Sequence, residues 1–195
     1  MASEPPRRLI VGISGASGVI YGVRTLQALR GSGIETHLVM SRSAEMTIGY
    51  ETDMKPKEVR ALAAIDHPVM DVGAAISSGS FQTMGMLVVP CSIRTMSEVA
   101  TGVTSTLLSR AADVVLKERR RLVLAVRETP LHTGHLRTMV QLSEMGAIVA
   151  PIVPAFYQRP ESLDDVIGHT IGRLLDLFGI DTGLIRRWQG GRPKR

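Results

Sequence analysis

Short apolar runs alternate with amphipathic stretches along most of the chain. Leu9–Ile13 is continuous and apolar and then turns glycine-rich, the pattern of a short buried strand. Tyr21–Arg30 has helical spacing and is closed by Gly31-Ser-Gly33. Thr36–Met40 reads as a second strand, and Ser41 stands where it can cap a helix reaching to about Tyr50. Lys57–Ala64 can form a helix, and Gly73–Ser80 is a loop of small residues. Met86–Val89 reads as a strand stopped by Pro90. Helices over Ser92–Ala100 and Ser105–Lys117 follow, then a strand over Leu122–Val126. A helix over Gly134–Met145 ends at Gly146, and Ala147–Ala150 is the last strand. Ser162–Phe178 is the last long helix, with Leu163, Val166, Ile167, Ile171, Leu174, Leu175 and Phe178 on one face.

Strands alternating with helices predict an α/β chain: a Rossmann-like, three-layer, doubly wound and mainly parallel sheet. The expected organisation is a flexible leader over residues 1–8, one domain over 9–189 and a basic tail over 190–195. Ligand sites in such sheets lie beyond the carboxyl ends of the strands. That rule selects the segments after Ile13, Met40, Val89 and Val126, and these carry the unusual residues.

Composition narrows the class. A hydrophobic share of 44% with 21% charged residues fits a globular domain with a real core. Cys91 is the only cysteine, which rules out an intrachain disulfide and suits a reducing, cytoplasmic setting. No apolar run approaches the roughly 18 residues of a membrane span, and the opening residues lack the apolar core of a signal peptide. The net charge of +5 is concentrated at Lys117–Arg121 and in the tail. Such charge suits phosphorylated ligands or a solvated face. With 4% aromatic residues and no groove-reading or stacking motif, nucleic acid is not the expected partner.

The first strand runs into Gly12-Ile-Ser-Gly15-Ala-Ser17-Gly18. Glycines let backbone approach a ligand, and amides at the next helix start favour an anion. The spacing G-x-x-G-x-x-G is neither the dinucleotide pattern nor a Walker loop. It suits a phosphate or a flavin, or else a bare strand-to-helix turn. In Pro90-Cys91-Ser92-Ile93-Arg94-Thr95, Ser92 and Thr95 either cap a helix or bind a phosphate or flavin edge. Cys91 reads as a buried apolar residue rather than a nucleophile. Ser77–Ser80 is a second hydroxyl-rich loop.

Arg110, Asp113 and Lys117 fall on one helical face. Either Asp113 neutralises both neighbours in a surface ladder, or a cation reaches a phosphate. Arg127-Glu128, directly after a buried strand, is either a structural ion pair or an anion holder beside a proton carrier. His132 and His135 lack an evident third metal ligand, so no metal is expected. His37, His67 and His169 stand alone and read as structural or exposed. Phe156-Tyr157 lies in a loop between Pro154 and Pro160, where it either closes a pocket or packs. Arg173, at the edge of the last helix's apolar stripe, calls for an anionic partner or snorkels to water. Trp188 is placed to anchor an interface or cap a pocket.

Several of these strings, in order, resemble the UbiX-type flavin prenyltransferases and the equivalent partner subunits of phenolic-acid decarboxylases. They are Gly15-Ala-Ser-Gly18, Glu51-Thr, Ser78-Gly-Ser80, Pro90-Cys-Ser92 and Arg110-Ala-Ala-Asp-Val-Val-Leu-Lys-Glu118. Arg127-Glu128, His135-Leu136, Pro154-Ala-Phe-Tyr157 and Arg187-Trp188 complete the set, which spans about residues 9–189. The resemblance implies the flavoprotein fold, reduced FMN as co-substrate, no metal, and dimethylallyl phosphate or pyrophosphate as donor. The product would be prenylated FMN for a UbiD-type decarboxylase. It further implies a homododecamer with active sites at subunit contacts. The alternatives are a flavin-dependent cysteine decarboxylase of the same fold and a non-catalytic FMN carrier.

Carried over by position, the resemblance assigns FMN to Gly15, Ala16, Ser17, Ser41, Ser92, Ile93, Arg94, Thr95 and Arg127. It assigns the prenyl phosphate to Ser78, Gly79, Ser80, Arg110, Lys117, Tyr157 and Arg173. Glu128, Lys117, Glu51 and Ser17 are the implied catalytic residues, with Trp188 near the pocket. The chain departs from the pattern at Arg94, often lysine, and at Val126, often proline. It also has no tryptophan between Met70 and Gly79. These departures bear on donor preference.

Overall fold

The computed structural model describes residues 7–185, 187, 188 and 190. Residues 1–6, Arg186, Gln189 and 191–195, which include most of the expected leader and tail, lie outside the described residues. Six parallel strands form one sheet in the order β3-β2-β1-β4-β5-β6. They are β1 (Arg8–Ile13), β2 (Glu35–Met40), β3 (Ile65–His67), β4 (Gly85–Cys91), β5 (Arg121–Val126) and β6 (Ile148–Val149). The helices are α1 (Val19–Leu29), α2 (Arg42–Glu51), α3 (Pro56–Arg60), α4 (Ile93–Thr101), α5 (Leu107–Lys117), α6 (Thr133–Glu144) and α7 (Leu163–Asp176). The doubly wound parallel sheet expected from the alternation is therefore present.

Period-two alternation divides the core between two faces. Leu9, Val11 and Ile13 of β1 and Leu87 and Val89 of β4 pack with Val19, Val23 and Leu26 of α1 and with Leu174 and Leu175 of α7. Ile10, Met86, Val88, Leu122 and Leu124 pack on the other face with α4 and α5, through Met96, Val99, Leu108, Ala111 and Val115. Each of the larger fully buried side chains contributes about 1.5–3 kcal/mol. On the first face α1 approaches at Gly22. A Cβ there would lie 2.6 Å from the Val89 carbonyl and 2.8 Å from Ile13 Cδ1, so no other residue fits without displacement.

Four expectations need correction. Pro90 does not stop its strand, and β4 runs on to Cys91. The ladder with β5 shifts register between Val88 and Cys91, so the proline's missing N–H falls in the irregularity. The shift also turns Cys91 onto the face of Val88, where strict alternation would have put it with Val89. The helix expected over Lys57–Ala64 is the single-turn α3, and the chain then enters the edge strand β3, whose exposed Ile65 and Asp66 gave no apolar signal. The Gly73–Ser80 loop contains a 3-10 turn over Ala75–Ser77. Leu163, expected on the buried face of α7, is 73% exposed because it is the first helical residue and overhangs the core.

β1 and β4 are neighbours whose connections leave in opposite directions. The crevice at such a switch point is where ligands enter doubly wound sheets.

Candidate active site

Carboxyl-edge segments meet at this crevice. Ser14, buried at the end of β1, donates from its hydroxyl to the Pro90 carbonyl at 2.9 Å. The same oxygen accepts the Ser92 amide at 2.7 Å. The β1 and β4 exits are thereby locked together. Ser92 caps α4, accepting the Thr95 amide at 3.3 Å, and Ser41 caps α2, accepting the Ala44 amide at 3.1 Å. Gly15 passes so close to α2 that a Cβ would fall 2.2 Å from Ser43 Cβ.

The result is a cleft of about 560 Å³. Hydroxyls of Ser41, Ser43, Ser92, Thr95 and Thr106 supply polar donors, and Arg42 and Arg94 supply guanidiniums, Arg94 paired with Glu98 of the same lining at 2.9 Å. Val69, Met70, Ile93 and Leu108 give it apolar walls, and Glu128 lies at its edge. Hydroxyls, two guanidiniums and apolar faces are the donor set a flavin mononucleotide needs: anion contacts for phosphate and flat apolar surface for a ring. Six of the nine residues expected on FMN line this cleft: Gly15, Ser41 and Ser92 through Thr95. Arg42, Ser43, Val69, Met70, Glu98, Thr106 and Leu108 of the lining, and the Ser14 bridge behind it, were not anticipated. Ser14 stands in the glycine-rich string and was recognisable there as the hydroxyl nearest the strand end.

The anion at the start of α1 is internal. Glu51 Oε2 accepts the amides of Gly18 at 2.8 Å and Val19 at 3.1 Å. The amides expected to meet a phosphate at that helix start are taken by this carboxylate. Ser17 is exposed beside it. Arg127 and Glu128 are both exposed, and no ion pair joins them among the described residues. Glu128 instead accepts its neighbour's Thr129 amide at 2.9 Å. Cys91 is fully buried, and burial pushes its thiol up to about 12, which removes it as a nucleophile at neutral pH.

The residues expected on the prenyl phosphate are not brought to this cleft within one chain. Lys117 ends α5, whose other end, at Leu108, lines the cleft, and the helix between them is about 14 Å long. Arg120 donates to the carbonyls of Gly79 and Phe81, each at 2.6 Å, so the Ser78–Ser80 loop lies beside the end of α5 at the amino edge of the sheet. Ser78 and Ser80 bond each other at 2.9 Å. Tyr157, Arg173 and Trp188 form a third group around α7.

Every cation of the set has an internal carboxylate. Arg110 pairs with Asp113 at 2.8 Å, and Arg173 pairs with Asp176 at 2.9 Å. Lys117 pairs with Glu118, whose pKa is lowered by that hydrogen bond, so Asp113 does not neutralise both its neighbours. Asp176 also takes both terminal nitrogens of Arg187 at 2.9 Å, and these bonds hold its carboxyl below the usual range. Exposed pairs of this kind are worth about 0–1 kcal/mol, so an incoming phosphate can displace them.

The histidines are less solitary than their spacing implied. His37 bonds His67 at 2.9 Å, and His169 bonds the Tyr157 hydroxyl at 3.1 Å. His132 caps α6, and its ring stacks on His135 at 3.6 Å. No group of three or more possible metal ligands occurs among the described residues. No helix is long and apolar enough to cross a membrane among those residues.

Residues 2–172 match the flavoprotein family. The chain is 62% identical over 187 residues to the flavin prenyltransferase UbiX of Escherichia coli strain K12, covering 94% of this chain and 99% of that protein. The crystal structure of AnUbiX in complex with FMN and dimethylallyl pyrophosphate superposes with a TM-score of 0.94 at 51% identity, over 96% of this chain and 100% of that one. A dodecameric FMN-dependent UbiX-like decarboxylase from Escherichia coli O157:H7 gives 0.92 at 51% identity, covering 94% and 100%.

Proposed function

Since the chain belongs to the flavoprotein family, among its flavin prenyltransferases, we propose the following reaction for it. It joins the dimethylallyl group of dimethylallyl phosphate or pyrophosphate to N5 and C6 of reduced FMN. Prenylated FMN then passes to a UbiD-type decarboxylase, in the cytoplasm. The observation that carries this reading is the switch-point cleft, whose hydroxyls, guanidiniums and apolar walls suit FMN in a chain so similar to a flavin prenyltransferase.

Reduced FMN supplies the nucleophilic atoms; the protein supplies position and charge. Ser41, Ser92, Thr95, Arg94 and the backbone at Gly15–Ser17 hold the flavin, with Arg127 beyond the end of β5. Arg110, Lys117, Tyr157, Arg173 and the Ser78–Ser80 loop hold the allylic phosphate and stabilise charge on the leaving oxygen. Glu128, at the cleft edge and in water, accepts the proton lost when the second carbon bond closes. Glu51 keeps the Ser17 turn in place through the α1 amides. The flavin group and the Lys117 and Ser78–Ser80 group lie at opposite edges of one chain, so a site built from several copies supports the dodecamer reading. Trp188 then closes the pocket of a neighbouring copy.

The test is anaerobic incubation of the protein with reduced FMN and each donor in turn, followed by mass spectrometry of the extracted flavin. A dimethylallyl increment with at least one donor is expected. An unchanged flavin mass with both donors overturns the assignment.

A further inference from the structure

Among the residues proposed on the prenyl phosphate, Tyr157 is held in an unusual way. Its hydroxyl lies 3.1 Å from Nε2 of His169. The two rings meet edge-on, with centroids 5.6 Å apart at 87°. Trp188 also meets the phenol ring edge-on, at 5.7 Å and 79°. Tyr157 is half exposed in the loop after β6, whereas His169 is only 6% exposed on α7. Arg173 follows His169 by one helical turn and shares its face.

The chemistry of the pair fixes its polarity. Burial lowers the pKa of His169, and the nearby Arg173 charge lowers it further, so the imidazole is neutral at neutral pH. A neutral imidazole has one N–H and one acceptor nitrogen. A phosphate dianion only accepts. For Tyr157 to donate to it, the phenol proton must point outward, and the phenol oxygen must then accept from Nε2–H.

We propose that His169 is a positioning residue for the prenyl donor: its Nε2–H holds the Tyr157 oxygen, leaving the hydroxyl proton and Arg173 to face the allylic phosphate together. This rests on the reading that Tyr157 and Arg173 hold that phosphate. His169 does not touch substrate and transfers no proton. Its contribution is direction, since a phenol free to turn would offer its lone pairs to the phosphate part of the time.

The test compares His169→Phe, His169→Gln and Tyr157→Phe with the wild-type oligomer. Readouts are KM for dimethylallyl phosphate, kcat, FMN affinity and thermal midpoint. Phenylalanine keeps the ring contact and removes the donor; glutamine restores an N–H. His169→Phe is expected to raise KM about tenfold, the value of one hydrogen bond, with kcat and FMN affinity within about threefold. His169→Gln is expected to recover most of that loss. An unchanged KM in His169→Phe, beside a raised KM in Tyr157→Phe, overturns the role of His169 alone. An unchanged KM in Tyr157→Phe overturns the placement of Tyr157 and the proposal with it. A KM, kcat and thermal midpoint that worsen together, without rescue by glutamine, reduce His169 to packing.

Discussion

Ser14 and Ser92 are 78 residues apart in sequence, yet the hydroxyl of one accepts the backbone amide of the other at 2.7 Å. The same hydroxyl donates to the Pro90 carbonyl at 2.9 Å. One buried oxygen thus closes the gap between the two strands at whose ends the cleft opens. Ser14→Ala leaves the part-buried Ser92 amide without its acceptor, while the Pro90 carbonyl keeps the Ser14 amide at 3.2 Å, at a cost of about 1–3 kcal/mol. Thermal unfolding should begin several degrees lower, and FMN should bind more weakly because the Ser92 cap loses its anchor. Calorimetry and flavin fluorescence quenching check the two effects; wild-type values in both would show the bridge to be incidental.

Glu51 was expected beside the chemistry and is found on the amides of Gly18 and Val19. The two roles separate by substitution. Glu51→Ala removes the acceptor and should cost about 0.5–2 kcal/mol, as loss of a helix cap does. Glu51→Gln keeps an oxygen on the amides and should stay within about 1 kcal/mol of wild type, losing only the charge at the helix start. If the carboxylate also serves ring closure, Glu51→Gln should slow prenylation while folding normally. Normal single-turnover rates in that variant would leave Glu51 as a cap only.

The strand-helix alternation was readable because most elements bury a continuous face. Leu9–Ile13 and Leu122–Val126 carry that signal in their side chains. β3 was invisible because an edge strand of three residues buries only His67. Pro90 misled because a local rule about missing N–H groups gives way where the ladder has already slipped. In the site, Ser41 and Ser92 directly follow strands and could be found by topology alone, whereas Ser43 and Thr106, within α2 and before α5, could not. The Ser14 bridge and the His169–Tyr157 contact could not, since both join segments whose meeting depends on the finished sheet. Nor does spacing show which edge of the sheet a helix residue reaches. Lys117 and Leu108 share α5 and lie at opposite ends of it.

That separation makes a sharp expectation for Lys117. It stands at the amino edge with Glu118 as its partner, far along α5 from the flavin cleft of its own chain. Lys117→Ala should abolish prenylation and leave FMN affinity unchanged. Glu128→Gln acts at the cleft and should accumulate flavin alkylated at N5 alone. If the two residues serve one site from different copies, oligomers assembled from a mixture of both variants regain activity that neither has alone. Mixed assemblies as inactive as the separate variants would place both residues' contributions in a single chain.

Acid should weaken the fold through β2 and β3. His37 Nε2 lies 2.8 Å from Glu35 Oε1, which also takes Arg8 Nε at 2.8 Å. With that nitrogen donating to the carboxylate, His37 Nδ1 accepts from His67 Nε2 at 2.9 Å. Burial chiefly, and the neighbouring His37, push the pKa of His67 down, while Asp66 and Asp71 oppose the shift. As pH falls through about 6.5, the unfolded chain therefore takes up its proton before the folded one, and stability declines. His169, shifted the same way, adds to the decline. Glu35 is lowered by its bonds to His37 and Arg8; it contributes stability above the ordinary carboxylate range that disappears at lower pH as it protonates. Denaturant midpoints measured from about pH 7.5 to 5 should fall in the wild type and fall less in His67→Gln. Equal slopes in the two proteins would mean that the proton goes elsewhere, and that the buried pair contributes packing without a charge-dependent share.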